Sequence, residues 1–184
     1  KPTKRILEIE FTAPESSGKR ESTPLNLALV IDRSGSMDGG KLEQVKVAVS
    51  QILDLLRPAD SAAIVDYDDR VTITAESGSV TPSARGEMKA AVNRLEPRGM
   101  TDLGGGWLQG CECVAKHQTA KMVNRTLLLT DGLANRGITD PEELKQHASA
   151  LFERGIATST FGVGEDFNEH LLEAMANSGG GNYY

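Results

Sequence analysis

An α/β fold, a three-layer sandwich on a mostly parallel sheet, is predicted by three features of this 184-residue chain. Apolar runs alternate with segments of helical periodicity, the pattern of strands linked through crossover helices. Two of the runs, residues 25–31 and 126–129, are nearly all apolar, as expected for central strands covered on both faces. Each leads into an aspartate, Asp32 and Asp131. Residues 62–67 and 71–75 read as two further strands separated only by Asp68-Asp69-Arg70. That gap is too short for a parallel crossover, so the pair is predicted to be an antiparallel hairpin.

The remaining elements follow in order. Residues 7–11 alternate apolar and polar, the pattern of a half-buried edge strand. The polar stretch after it, with Pro14, Gly18 and Pro24, reads as a loop. Residues 1–24 are therefore expected to form an N-terminal strand and loop, and residues 25–184 the main domain. Leu42, Val45, Ala48, Val49, Ile52, Leu53 and Leu56 repeat at helical spacing, and Pro58 limits that helix. Met88, Ala91, Val92 and Leu95 mark a second helix, ended before Pro97. A third begins near Asp102 and turns Leu103, Trp107, Cys111 and Val114 or Ala115 inward. Asp140-Pro141-Glu142-Glu143 carries an N-cap, a first-turn proline and an acid three residues after the cap. Leu144, Ala148, Leu151 and Phe152 form the predicted inner face of that helix, and Gly155 its C-terminal cap. Residues 156–163 read as a strand, Leu171, Leu172 and Met175 as a last helix, and residues 182–184 as the start of a final strand.

Composition excludes several classes. A hydrophobic content of 39% beside 25% charged residues fits a packed soluble domain rather than a disordered chain. No apolar stretch approaches the ~20 residues that span a bilayer. A net charge of −6 argues against nucleic acid as a partner. The chain opens at Lys1-Pro2 and shows no signal peptide, so it is expected to be an excised domain whose compartment stays open. Cys111 and Cys113 lie two apart on a predicted helix, facing different ways, and are expected to be buried or free thiols. The lack of a disulfide framework leans toward a reducing compartment.

Chemistry concentrates where the two central strands end. Beyond Asp32 come Ser34 and Ser36 at alternate positions, so one carboxylate and two hydroxyls aim at one point. In open α/β sheets, ligands lie beyond the carboxyl ends of the strands where strand order reverses. If the two central strands are neighbours, Asp32 and Asp131 face each other there. Two carboxylates ~5 Å apart repel by about 3 kcal/mol at an effective dielectric near 20. A cation, a proton or a basic side chain must offset this. No lysine is adjacent to either aspartate, and alternation should point Arg33 away, so a divalent cation is the better candidate. All the groups offer oxygen, which hard cations such as Mg2+ select, with Mn2+ or Ca2+ as alternatives. Thr101-Asp102, before the third helix, is placed to add one more oxygen. Gly104-Gly105-Gly106 then reads either as close backbone packing beside the site or as a loop with the helix starting at Trp107. Met37, Met100, Leu133, Asn135 and Arg136 fall in the surrounding loops.

Asp32-Arg33-Ser34-Gly35-Ser36, Thr101 within Gly99-Met100-Thr101-Asp102, and Thr130-Asp131-Gly132 together resemble the metal-ion-dependent adhesion site of the von Willebrand factor type A family. The resemblance covers about residues 25–184, and all five site positions match. It implies a Rossmann-like, six-stranded, mostly parallel sheet with one antiparallel edge strand, to which residues 7–11 are an addition. It implies that Ser34 and Ser36 bind Mg2+ directly, Thr101 directly or through water, and Asp32 and Asp131 largely through water. An open coordination position then takes an Asp or Glu side chain from a protein partner. Members of the family carry a C-terminal helix after the last strand; this sequence stops at Tyr184.

Two rivals stand beside an adhesion-type interaction domain. A Mg2+-dependent phosphohydrolase of the haloacid dehalogenase type needs a second aspartate two residues after the first, where this chain has Ser34. There is no phosphate loop of the form G-x-x-x-x-G-K-[ST], and His117, His147 and His170 fall on predicted helices away from the site. A scaffold working without metal is the second rival, but folding alone does not require two facing aspartates. The expectation is a non-enzymatic, metal-dependent binding domain.

Overall fold

The computed structural model describes residues 22–132, 134–164 and 167–184. The predicted strand at residues 7–11 lies outside them. The elements run β1 (Leu25–Asp32), a 3-10 turn (Gly35–Met37), α1 (Lys41–Leu55), β2 (Ser61–Tyr67), β3 (Val71–Ser79), α2 (Pro82–Asn93), α3 (Leu103–Lys116), β4 (Val123–Thr130), α4 (Pro141–Glu153), β5 (Ala157–Gly162) and α5 (Glu169–Ser178). The sheet order is β3-β2-β1-β4-β5. β1, β2, β4 and β5 are parallel and β3 is the antiparallel edge.

The period of two along β1 builds both sides of the sandwich. Leu27, Leu29 and Ile31 pack toward Leu42, Val45, Val49 and Leu53 of α1 and Met88 and Val92 of α2. Ala28 and Val30 pack toward Trp107 and Cys111 of α3, with Leu144 of α4 and Leu172 and Met175 of α5 in the same layer. Three layers result, with β1 at the centre of the sheet. Because the chain passes from β1 to β2 on one side and later returns to β4 on the other, strand order reverses beside β1. The crevice expected of such a reversal opens at the carboxyl ends of β1 and β4.

Some expectations change. The sheet has five strands among the described residues, not six. Residues 182–184 do lie along β5, with Thr160 N donating to Asn182 O and Gly162 N to Tyr184 O. They form only one bridge, Thr160 to Tyr183, which is too little ladder to make a strand. β3 runs four residues beyond Ala75, to Ser79. Phe152 is exposed rather than on the inner face of α4; its ring covers Gly180, where any side chain would overlap it. Both cysteines are free and buried, and burial pushes the Cys111 thiol up to about 11.

The glycine run at residues 104–106 is helix. Asp102 caps α3, its carboxylate accepting from Gly105 N at 3.0 Å. A Cβ on Gly106 would overlap the ring of Tyr67, and one on Gly110 would overlap Val30. The missing side chains thus let α3 approach β1 and β2 closely, despite the helix propensity they sacrifice. Gly106→Ala is expected to destabilise the domain by about 1–3 kcal/mol, because the clash reaches Tyr67 Cβ and rotation of the ring does not relieve it. Gly86→Ala, on α2 with open space at its Cβ, is expected to stabilise by up to about 1 kcal/mol. Urea midpoints of the two variants check both signs.

Candidate metal centre

Three loops meet at the carboxyl edge of the sheet. The first leaves β1. Arg33 N donates to Tyr67 O at 2.9 Å, extending the β1–β2 ladder by one rung. Arg33's side chain turns away, as alternation predicts, to Asp66 at 3.4 Å and the Glu96 carbonyl at 3.0 Å. Asp32 stays inside, its Oδ1 accepting from Ser34 N at 2.8 Å. That bond closes a tight turn, and the 3-10 turn after it is anchored by buried Met37. Ser34 and Ser36 come together with their hydroxyl oxygens 3.0 Å apart, Ser34 buried and Ser36 exposed.

The second loop precedes α3. It is tied to the first by Arg98 N donating to Arg33 O (2.8 Å) and Gly35 N donating to Gly99 O (3.1 Å). Thr101 is buried and linked to the third loop on both sides. Its N donates to Asn135 Oδ1 at 2.9 Å, and its carbonyl accepts from Asn135 N and Arg136 N, each at 3.2 Å. The third loop leaves β4, where Gly132 N donates to Thr130 Oγ1 at 2.9 Å. Asp131 follows directly on the strand and is fully buried.

The electrostatics centre on Asp32. Its Oδ2 accepts from Thr130 Oγ1 at 2.6 Å and from the Tyr67 hydroxyl at 3.2 Å. Burial is the largest influence on this carboxyl and pushes its pKa up, and the charge of Asp131 adds to the effect. The hydrogen bonds from Thr130 and Ser34 pull the other way without reversing the shift. Tyr67 is pushed well above its ordinary range, first by burial and then by the neighbouring Asp32 charge. Burial thus disfavours the charged form of Asp32, and a cation placed beside it would favour that form.

Sequence reasoning missed four contributors. Lys41 places its ammonium 3.1 Å from Asp131 Oδ2, so a basic side chain does reach the carboxylate pair although none is adjacent in sequence. Gly39-Gly40 was the available signal, since both have positive φ and turn the chain before α1. Tyr67 stands opposite Asp32 in the β1–β2 register, which depends on strand order. Thr130 and Asn135 lie within segments already singled out, but their bonding partners are distant in sequence. Arg136 is half exposed and reaches Asp69 at 3.6 Å, and Met100 is exposed. Leu133 lies outside the described residues. Among those described, no cluster of three or more His, Cys, Asp or Glu side chains could hold a metal, so any ion here would rely on hydroxyls as well as carboxylates.

The sequence pattern of the von Willebrand factor type A domain matches residues 26–184. The chain belongs to the von Willebrand factor type A family. That family consists of interaction domains and not enzymes. The Escherichia coli (strain K12) protein YfbK is 34% identical over 183 residues, 97% of this chain and 31% of its own length. Inter-alpha-trypsin inhibitor heavy chain H3 of Mesocricetus auratus is 31% identical over 174 residues, 91% of this chain and 19% of its own. The chain thus spans less than half the length of these curated relatives. Among solved structures, a von Willebrand factor type A protein from Catenulispora acidiphila superimposes with a TM-score of 0.75 at 23% identity, over 88% of this chain and 38% of that one. The manganese-loaded TRAP protein of Plasmodium vivax does so with a TM-score of 0.69 at 19% identity, over 84% and 63%. Both share the fold. No helix among the described residues is long and apolar enough to cross a membrane.

A pH test follows for this von Willebrand factor type A domain. Asp32's folded pKa lies above its unfolded one, so its contribution is fully present below the unfolded value near 4 and is lost as pH rises through the folded value. In EDTA, Asp32→Asn is expected to lose less stability than the wild type between pH 4 and pH 7. Urea unfolding at the two pH values measures the difference, and parallel profiles contradict it. Asp68 has the opposite sign: burial raises its pKa, but hydrogen bonds from Arg98 and Arg70 outweigh it and lower the value, so its contribution is lost as pH falls.

Proposed function

We propose that this domain binds a divalent cation at Asp32, Ser34, Ser36, Thr101 and Asp131 and uses it to hold a protein partner through an Asp or Glu side chain. The observation that carries the reading is the pair of fully buried carboxylates at neighbouring strand ends, with Ser34 and Ser36 beside them. Buried like charges are costly unless a counter-charge is present. The donors are carboxylate and hydroxyl oxygens, which suits Mg2+, and Mn2+ or Ca2+ also take such ligands. The Plasmodium vivax relative in fold was solved with manganese, which supports a divalent ion in this family.

The chemistry of the set favours a partner carboxylate. Serine and threonine hydroxyls bring no formal charge to an ion, so a cation held largely by them stays electrophilic and gains from an added anionic oxygen. Ser36 is exposed at the rim, where such a group would approach from solvent. Asp32 is turned inward onto Ser34 N, Tyr67 and Thr130, an arrangement suited to orienting the serine loop and to contributing charge through water. A phosphohydrolase has no support here: Ser34 stands where its second aspartate would be, with its hydroxyl on Ser36.

Thermal unfolding tests the reading. Metal at ~100 times its Kd is expected to add about 2.7 kcal/mol over EDTA, a rise of roughly 5–10 °C for a domain of this size. Asp131→Ala is expected to abolish the rise. An unchanged melting temperature in Mg2+, Mn2+ and Ca2+ alike would sink the metal reading. A partner retained in Mg2+ must elute in EDTA and be lost when its own acidic contact residue is changed to the amide; retention in EDTA would sink the coordination model.

A further inference from the structure

Lys41 holds a positive charge against the same buried carboxylate that the metal reading assigns to the cation. Its Nζ lies 3.1 Å from Asp131 Oδ2, and the lysine side chain is 24% exposed. Three parts of the chain build this contact. Gly39 and Gly40, with φ of 71° and 98°, turn the backbone so that α1 opens on Lys41 at the rim. Gly164 leaves a path for the stem: a Cβ there would come within 2.7 Å of Lys41 Cε. Asp131 completes the contact from the end of β4.

We propose, resting on the metal-binding reading above, that Lys41 is a built-in counter-cation that neutralises Asp131 without metal and must leave it when a divalent ion binds. The argument is electrostatic. Removing Lys41 leaves Asp32 and Asp131 facing each other with one compensating charge fewer. An ion bound to Asp131 with an ammonium on the same carboxylate is repelled by it, and the buried surroundings screen that repulsion weakly. The lysine has the means to leave: a flexible four-carbon stem, and a part of its side chain already in solvent. Metal affinity in this domain is therefore the difference between binding the ion and releasing the lysine, and the metal-free site stays assembled around the Lys41–Asp131 pair.

Calorimetric titration with Mn2+, together with melting in EDTA, tests this on the wild type, Lys41→Met, Lys41→Gln and Lys41→Arg, with Lys145→Met as a control for loss of a remote exposed charge that pairs with Glu142. Lys41→Met and Lys41→Gln are expected to bind Mn2+ about tenfold tighter or more than the wild type and to melt lower in EDTA. Lys41→Arg and Lys145→Met are expected to stay near the wild-type affinity. Equal or weaker binding by both neutral variants, with the wild type binding normally, overturns the role of Lys41 and leaves the metal reading standing. No binding by the wild type or by any Lys41 variant overturns both. Equal tightening by Lys145→Met assigns the effect to net charge and overturns the specific role.

Discussion

The mutual repulsion of Asp32 and Asp131, both without solvent exposure at adjacent strand ends, is the constraint around which this end of the molecule is organised. Parallel pairing of β1 with β4 brings the two residues together as a direct consequence of sheet order. Neither can be hydrated as it would be in water, so the chain supplies substitutes. Asp32 receives a backbone N–H and two hydroxyls, and Asp131 receives an ammonium. These partners come from four segments, the turn after β1, β2, β4 and α1, so the carboxylate pair acts as a fastener for the whole edge.

The packing beneath serves this arrangement. Tyr67 reaches Asp32 only because Gly106 has no side chain where the ring lies. Trp107, one residue on, is fully buried and donates to Thr158 Oγ1 at 3.1 Å, locking α3 to β5. The loop between Gly99 and Asp102 is held from both sides, by Gly35 and Arg33 of the first loop and by Asn135 and Arg136 of the third. Thr101 is therefore positioned through its own backbone N–H and carbonyl. Rigid elements below and mutually bonded loops above are what a preorganised binding site needs.

Much of this was legible in the sequence, for local reasons. A strand that runs into Asp-x-Ser-x-Ser states its own geometry, because alternation puts Asp32 inward and Arg33 outward. Thr130-Asp131-Gly132 repeats that logic on a second strand. The fold class followed from apolar runs and helical spacing. What escaped was tertiary. Lys41 acts through a turn and a glycine in another loop, and no local pattern couples residue 41 to residue 131. Tyr67 required knowledge that β2 lies beside β1. Phe152 obeyed the helical period but settled over Gly180, since the inner face was already occupied by Leu144 and Ala148. The sixth strand reduced to one bridge, because pattern alone does not count the rungs of a ladder.

The central claim is that these loops form a single cation site, and anomalous diffraction from crystals soaked in Mn2+ tests it most directly. The account predicts one strong peak at bonding distance from the hydroxyl oxygens of Ser34 and Ser36, with Lys41 Nζ moved off Asp131. Crystals showing no peak there, or a manganese ion bound elsewhere with the Lys41–Asp131 contact intact, would contradict it.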